Sequence, residues 1–132
     1  MTGLLPLLVL ALAACAQMPE RTERSGESID GAWQALAIDG RPVGRTLYTV
    51  NVERGRVTGG RDGCNHWGYQ WEEGRRLVVS TLIGCHSDPL QAGYWAVVGA
   101  EPWAPEPRPD GTMQLRAAGH SALFRRAVDG DR

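Results

Sequence analysis

From Ile29 onward the chain is cut into short segments by glycine-containing breaks, and this punctuation favours strands over helices. AWQALAI (32–38) runs into Asp39-Gly40, a pair suited to a tight hairpin turn. TLYTVNVE (46–53) alternates, with Leu47, Thr49 and Asn51 on one side and Tyr48, Val50 and Val52 on the other. RVTGGR (56–61), WGYQWE (67–72) and RLVVSTLI (76–83) continue the series, the last two parted by Glu73-Gly74. TMQLRAA (112–118) and HSALFRR (120–126), joined by Gly119, close it. The pattern predicts a β-rich domain.

One segment departs from this rhythm. Asp88-Pro89 is a helix start, because Asp caps free backbone amides and Pro is tolerated at the first helical position. Leu90, Tyr94, Val97 and Val98 then share a helical face, Gly99 can close the helix, and Gly93 permits close approach to the sheet. The following EPWAPEPRPDG is rich in proline and reads as a rigid loop or an edge, since Pro cannot donate to a central ladder.

The first residues set the compartment. Residues 3–14, GLLPLLVLALAA, are uncharged and apolar but fall short of the roughly 20 residues that a bilayer-spanning helix needs. They read as an export signal. Leu12-Ala13-Ala14-Cys15 resembles the lipobox of bacterial lipoproteins, which implies cleavage after residue 14 and lipid on Cys15. The alternative is an ordinary secretion signal with a chance cysteine. Ala16 follows the cysteine where the inner-membrane retention rule of Gram-negative bacteria wants Asp, so the expected location is the periplasmic face of the outer membrane. Residues 15–28 read as a flexible tether with a reach of about 20 Å, 29–127 as one domain and 128–132 as a tail.

Net charge is −1, and the 14 basic residues, all Arg, are scattered singly or in pairs. Such a balance offers no field for nucleic acid.

Cys64 and Cys85 remain once Cys15 carries lipid. In an oxidising compartment two thiols in a small domain favour a disulfide. A metal centre would need Cys64, His66, Cys85 and His86 around one ion, and adjacent Cys85 and His86 point apart unless the backbone turns sharply. A thiol nucleophile with His66 as base is the third reading, and it requires a reduced Cys64. Beside these, Gly59, Gly60 and Gly63 offer positive φ or a bulge where the sheet bends. Asn65 offers a hydrogen bond to the turn's own backbone. The five tryptophans divide into expected core residues, Trp33, Trp71 and Trp95, and two expected surface residues, Trp67 and Trp103.

The stretch GRVTGGRDGCNHWGYQWEEGRRLVVSTLIGC resembles the central signature of the META domain, or HslJ family, with Gly60, Gly63, Cys64, Asn65, Thr81 and Cys85 in the signature positions. The flanks GAWQALAIDGRPV and TMQLRAAGHSALFRR resemble that family's opening and closing strands, so the likeness covers about residues 30–127. It implies an antiparallel barrel-like sheet packed with one helix, lipocalin-like in outline, in an envelope lipoprotein linked to stress and antibiotic tolerance. It implies neither an enzymatic activity nor a cofactor. The expected partners are the membrane, through the lipid, and an envelope protein or a small apolar ligand, with His66, Trp67 and Trp103 as the candidate surface. Two alternatives stand beside this reading: a carrier holding an apolar molecule in a barrel mouth, and an envelope protease inhibitor that inserts its Pro-rich loop.

Overall fold

The computed structural model describes residues 28–100, 103 and 105–128. The expected export signal, Cys15, nearly all of the expected tether and most of the expected C-terminal tail lie outside the described residues. In chain order the elements are β1 (Gly31–Ile38), β2 (Arg41–Pro42), β3 (Tyr48–Glu53), β4 (Arg56–Asp62), β5 (His66–Glu72), β6 (Arg75–Ser80), α1 (Pro89–Val98), β7 (Glu106–Pro107), β8 (Met113–Ala117) and β9 (His120–Arg126). The strands form one antiparallel sheet in the order β6-β5-β4-β3-β1-β9-β8-β7, with β2 against β1. The protein is mainly β. Its sheet is barrel-like but open, with β6 and β7 as its two edges.

Four hairpins turn on an X-Gly pair: Asp39-Gly40, Arg54-Gly55, Glu73-Gly74 and Ala118-Gly119. In each pair both residues have φ between 49° and 79°, the tight turn whose twist matches that of the flanking strands. Two further irregularities curl the sheet. Leu36 is an extra residue in β1 against β9, so Ala35 and Ile38 both face inward opposite Phe124 and Ala122. Thr58 is an extra residue in β4, so Val57 and Val52 meet inside.

Helix α1 lies in the concavity. Asp88 caps it, its carboxylate accepting from Leu90 N at 2.9 Å, with Pro89 in the first turn as the sequence predicts. At the far end the Gly99 amide donates to Trp95 O. Leu90, Tyr94, Val97 and Val98 are buried against Tyr48, Val50, Met113, Leu115 and Phe124 in one core. A Cβ on Gly93 would stand 2.9 Å from Ile38 Cγ2 and 2.7 Å from Asp39 Oδ2, so the glycine lets helix and sheet touch.

One expectation needs correction here. The strand expected over 76–83 ends at Ser80, and residues 81–88 are irregular, because beyond Thr81 the side chain of Asn65 takes the backbone hydrogen bonds of Ile83. Among the described residues the sheet does not close, and its concavity is filled by α1 and large side chains. Within the Pro-rich segment, Glu106-Pro107 forms a two-residue edge strand against β8, which is where proline belongs in a sheet. Among the described residues no helix is long and apolar enough to cross a membrane.

Candidate functional site

Gly63, Cys64, Asn65, Thr81 and Cys85 come together at one corner, where β4 turns into β5 beside the segment after β6, and Gly60 lies within β4 just before it. Asp62, last in β4 and only 6% exposed, organises the turn. Its Oδ1 accepts from the amides of Cys64 (3.1 Å) and Asn65 (2.7 Å), and its Oδ2 from Trp95 Nε1 at 3.1 Å. Gln91 donates to the Asp62 carbonyl, so α1 holds the corner twice. A buried carboxylate is costly without donors, and these contacts satisfy both of its oxygens. Gly63 follows at φ 89°, with its amide donating to Leu47 O, in a space where a Cβ would lie 2.9 Å from the Tyr48 ring.

Of the positive φ or bulge expected at these glycines, Gly63 takes the positive φ and the bulge falls at Thr58, beside Gly59, while Gly60 answers to a further need. A Cβ there would sit 1.9 Å from Thr49 O, so β3 and β4 approach too closely for any side chain. Gly59 is similarly pressed, with Trp67 O 2.6 Å from its would-be Cβ.

Asn65 corrects a second expectation. The turn's own backbone is bonded by Asp62, a residue the sequence reading passed over, although Asp two or three residues before free amides is a known turn signal. Asn65 instead reaches across to the segment after β6. Its Oδ1 accepts from Ile83 N at 2.7 Å and from Thr81 Oγ1 at 2.9 Å, while its Nδ2 donates to Ile83 O at 3.2 Å. Thr81 is pinned at its backbone too, donating to His66 O at 2.9 Å and accepting His66 N on its hydroxyl at 3.1 Å. Cys64 and Cys85 stand at disulfide distance, Cα atoms 6.1 Å apart, 21 residues apart in sequence. For that separation the chain-entropy model gives a cross-link worth about 3 kcal/mol. Cys85 lies in the irregular segment rather than in a strand, and His86 is exposed beside it. Among the described residues no three His, Cys, Asp or Glu side chains gather as a metal site.

The aromatic surface differs from expectation. Trp67 is buried, 5% exposed, whereas Trp71, expected in the core, is 67% exposed. Both lie on the same face of β5 with Tyr69, but the strand outruns the helix, and its last residues project beyond the core. Inside, Trp67 Nε1 donates to Tyr94 Oη at 2.7 Å, and Tyr94 Oη donates to Thr49 O at 2.6 Å. Burial pushes the Tyr94 hydroxyl well above its ordinary pKa, and it does the same to Tyr48. Trp103 is half-buried and donates to Val98 O, which also accepts from Tyr69 Oη. The Arg76 guanidinium stacks on both rings, 4.2 Å from the Tyr69 centroid and 4.8 Å from that of Trp103.

Two hollows adjoin these residues. One, about 540 Å³, is lined in part by Trp67, Tyr69, Trp71, Arg76 and Trp103. The other, about 630 Å³, lies on the outer face and takes in His66, which is exposed as expected. Its polar side belongs to a row running in register across five strands: Arg125, Gln34, Thr49, Arg61 and His66. Arg125 donates to Gln34 Oε1, the Arg61 amide donates to Thr49 Oγ1, and Arg61 Nε is buried without an acceptor among the described residues. Neither a protein-family model, nor a curated protein, nor a solved structure matches this chain.

Proposed function

We propose that the protein is an exported, lipid-anchored, non-enzymatic binding module of the META/HslJ type, serving the bacterial envelope under stress or antibiotic challenge. One observation carries this reading. Gly63, Cys64, Asn65, Thr81 and Cys85 meet in a single corner, with Gly60 just before it in β4, and the contacts of each are those of a scaffold. This supports reading the stretch as a support for a presented surface. The apolar N-terminal run ending at Leu12-Ala13-Ala14-Cys15 supports export and lipidation. A multiply acylated terminus holds a protein durably at a membrane, since each buried CH₂ contributes about 0.8 kcal/mol.

Fractionation of cells expressing the full chain tests the reading. Wild type is expected in the outer membrane and Cys15→Ser in the unprocessed or released fraction. Unchanged membrane attachment of Cys15→Ser would remove the lipoprotein reading.

A second reading, a carrier of a small apolar ligand, is favoured by the aromatic hollow beside Trp71 and Trp103. Exposed Trp71 is its natural reporter. Quenching of tryptophan emission by a lipid or drug, lost in Trp71→Ala, supports it, and a flat response across a panel argues against it.

A further inference from the structure

Segment 81–85 combines two properties that seldom occur together. It is apolar and exposed, with Leu82 98% and Ile83 58% accessible. It is also held rigidly on both sides of Leu82. Before Leu82, Thr81 is locked to His66 through backbone and hydroxyl. After it, both backbone polar atoms of Ile83 are gripped by the one amide of Asn65, and Cys85 is tied to Cys64. The grip continues inward, since the turn carrying Asn65 hangs on Asp62 and thereby on Trp95 of α1. Exposed loops are ordinarily polar and mobile. Here the chain orders an extended segment in advance and leaves a leucine bare at its tip, which removes the ordering cost of docking.

From this geometry we infer that residues 81–84 form an inhibitory loop that seats Leu82 in the apolar specificity pocket of an endopeptidase. The inference rests on the reading of the domain as a binding module and names its partner class. Anchoring on both sides of the tip separates an inhibitor from a substrate. Attack by the enzyme's nucleophile at the Leu82 carbonyl breaks the Leu82–Ile83 amide, forms the acyl-enzyme, and protonates the departing Ile83 nitrogen to an amine. In a free peptide that amine diffuses away and water hydrolyses the acyl group. In this protein Asn65 holds the Ile83 nitrogen and carbonyl, and the Cys64–Cys85 link holds the chain two residues on. The amine stays in place and re-attacks the acyl carbon; the bond to the enzyme's nucleophile breaks, the nucleophile takes back the proton that the amine gives up, and the amide is restored. The Pro-rich segment is the weaker candidate for insertion, since Glu106-Pro107 is already paired to β8.

The test uses the oxidised mature protein with chymotrypsin, whose pocket is apolar, and trypsin, whose pocket takes Arg. Chymotrypsin is expected to be inhibited stoichiometrically, with little cleavage after Leu82, while trypsin activity is unaffected. Leu82→Arg alters a side chain that supports nothing in the fold and should transfer inhibition to trypsin. Asn65→Ala, verified as folded by near-UV circular dichroism, should turn the loop into a substrate, with cleavage at Leu82–Ile83 faster by on the order of tenfold or more. Cleavage of the native loop as fast as in Asn65→Ala, or no inhibition of either enzyme by either loop sequence, overturns the proposal. In-cell photocrosslinking from position 82 separates the two levels. Crosslinks to an envelope protein without peptidase inhibition sink the inhibitor and leave the binding module standing, whereas no crosslink and no inhibition sink both.

Discussion

Two aspartates end strands on the same rim of the sheet, on either side of the start of β3, and helix α1 lies close to both. Asp39, after β1, lies at the surface. Its Oδ2 pairs with His120 Nδ1 at 2.7 Å, and its Oδ1 accepts from Ser121 N at 2.9 Å. Asp62, the last residue of β4, is nearly shut from water and accepts from two backbone amides and the indole of Trp95. The contrast teaches that burial, more than the presence of partners, sets energetic weight. An exposed carboxylate that loses a partner takes up water, while a buried set of donors that loses its acceptor is left unsatisfied.

The sharpest way to break this comparison is Asp62→Ala, which strands three N–H donors around a closed corner. We expect a loss of about 4 kcal/mol in urea unfolding, in the upper range for single substitutions. A loss below ~1 kcal/mol would mean that water reaches the corner and that the two aspartates are equivalent.

Tyr94→Phe, in the core, should come next at about 2 kcal/mol, because it removes the acceptor of Trp67 Nε1 and the donor to Thr49 O. It carries a pH signature. The folded-state pKa of Tyr94 is raised, so its contribution is complete below the ordinary tyrosine value of about 10 and is lost as pH climbs above it. Alkaline unfolding should therefore be shallower in the variant, with Tyr48, also raised, supplying what dependence remains.

Asp39→Ala should cost least, under ~1 kcal/mol near neutrality, as expected of an exposed pair. The His120 hydrogen bond and then the Ser121 amide hold the Asp39 carboxyl below its ordinary pKa. Its contribution is thus present above the usual Asp value of about 3.9 and disappears as pH falls through the lower folded value. Unfolding curves of wild type and variant should converge in acid and separate above it. Equal separation at every pH would show that the carboxylate is not the cause.

Much of the frame could be read from the residues alone. The Asp39-Gly40 and Glu73-Gly74 turns, the Asp88-Pro89 helix start and the helical face of Leu90, Tyr94, Val97 and Val98 are local signals, and local geometry obeys them. Cys64 and Cys85 stand at disulfide distance, as expected of two thiols in a small exported domain. What escaped was longer in range. Trp67 and Trp71 share one face of β5, and the sequence does not say which end of that face the core covers; Trp67, expected at the surface, is buried and Trp71, expected inside, is exposed. Asn65 was given the local bond that Asp62 makes, because the partner it does choose, Ile83, lies 18 residues away. The presented loop was hidden for the same reason: RLVVSTLI reads as one strand until a side chain from another turn captures its last third.

The open sheet has a mechanical consequence. Between edge strands β6 and β7 no ladder runs, and the cation sandwich of Arg76 on Tyr69 and Trp103 lies beside that gap. A seam fastened by stacked faces yields more readily than one zipped by amides, so thermal breathing should begin there. The bridged corner would keep its shape while the far side of the molecule flexes.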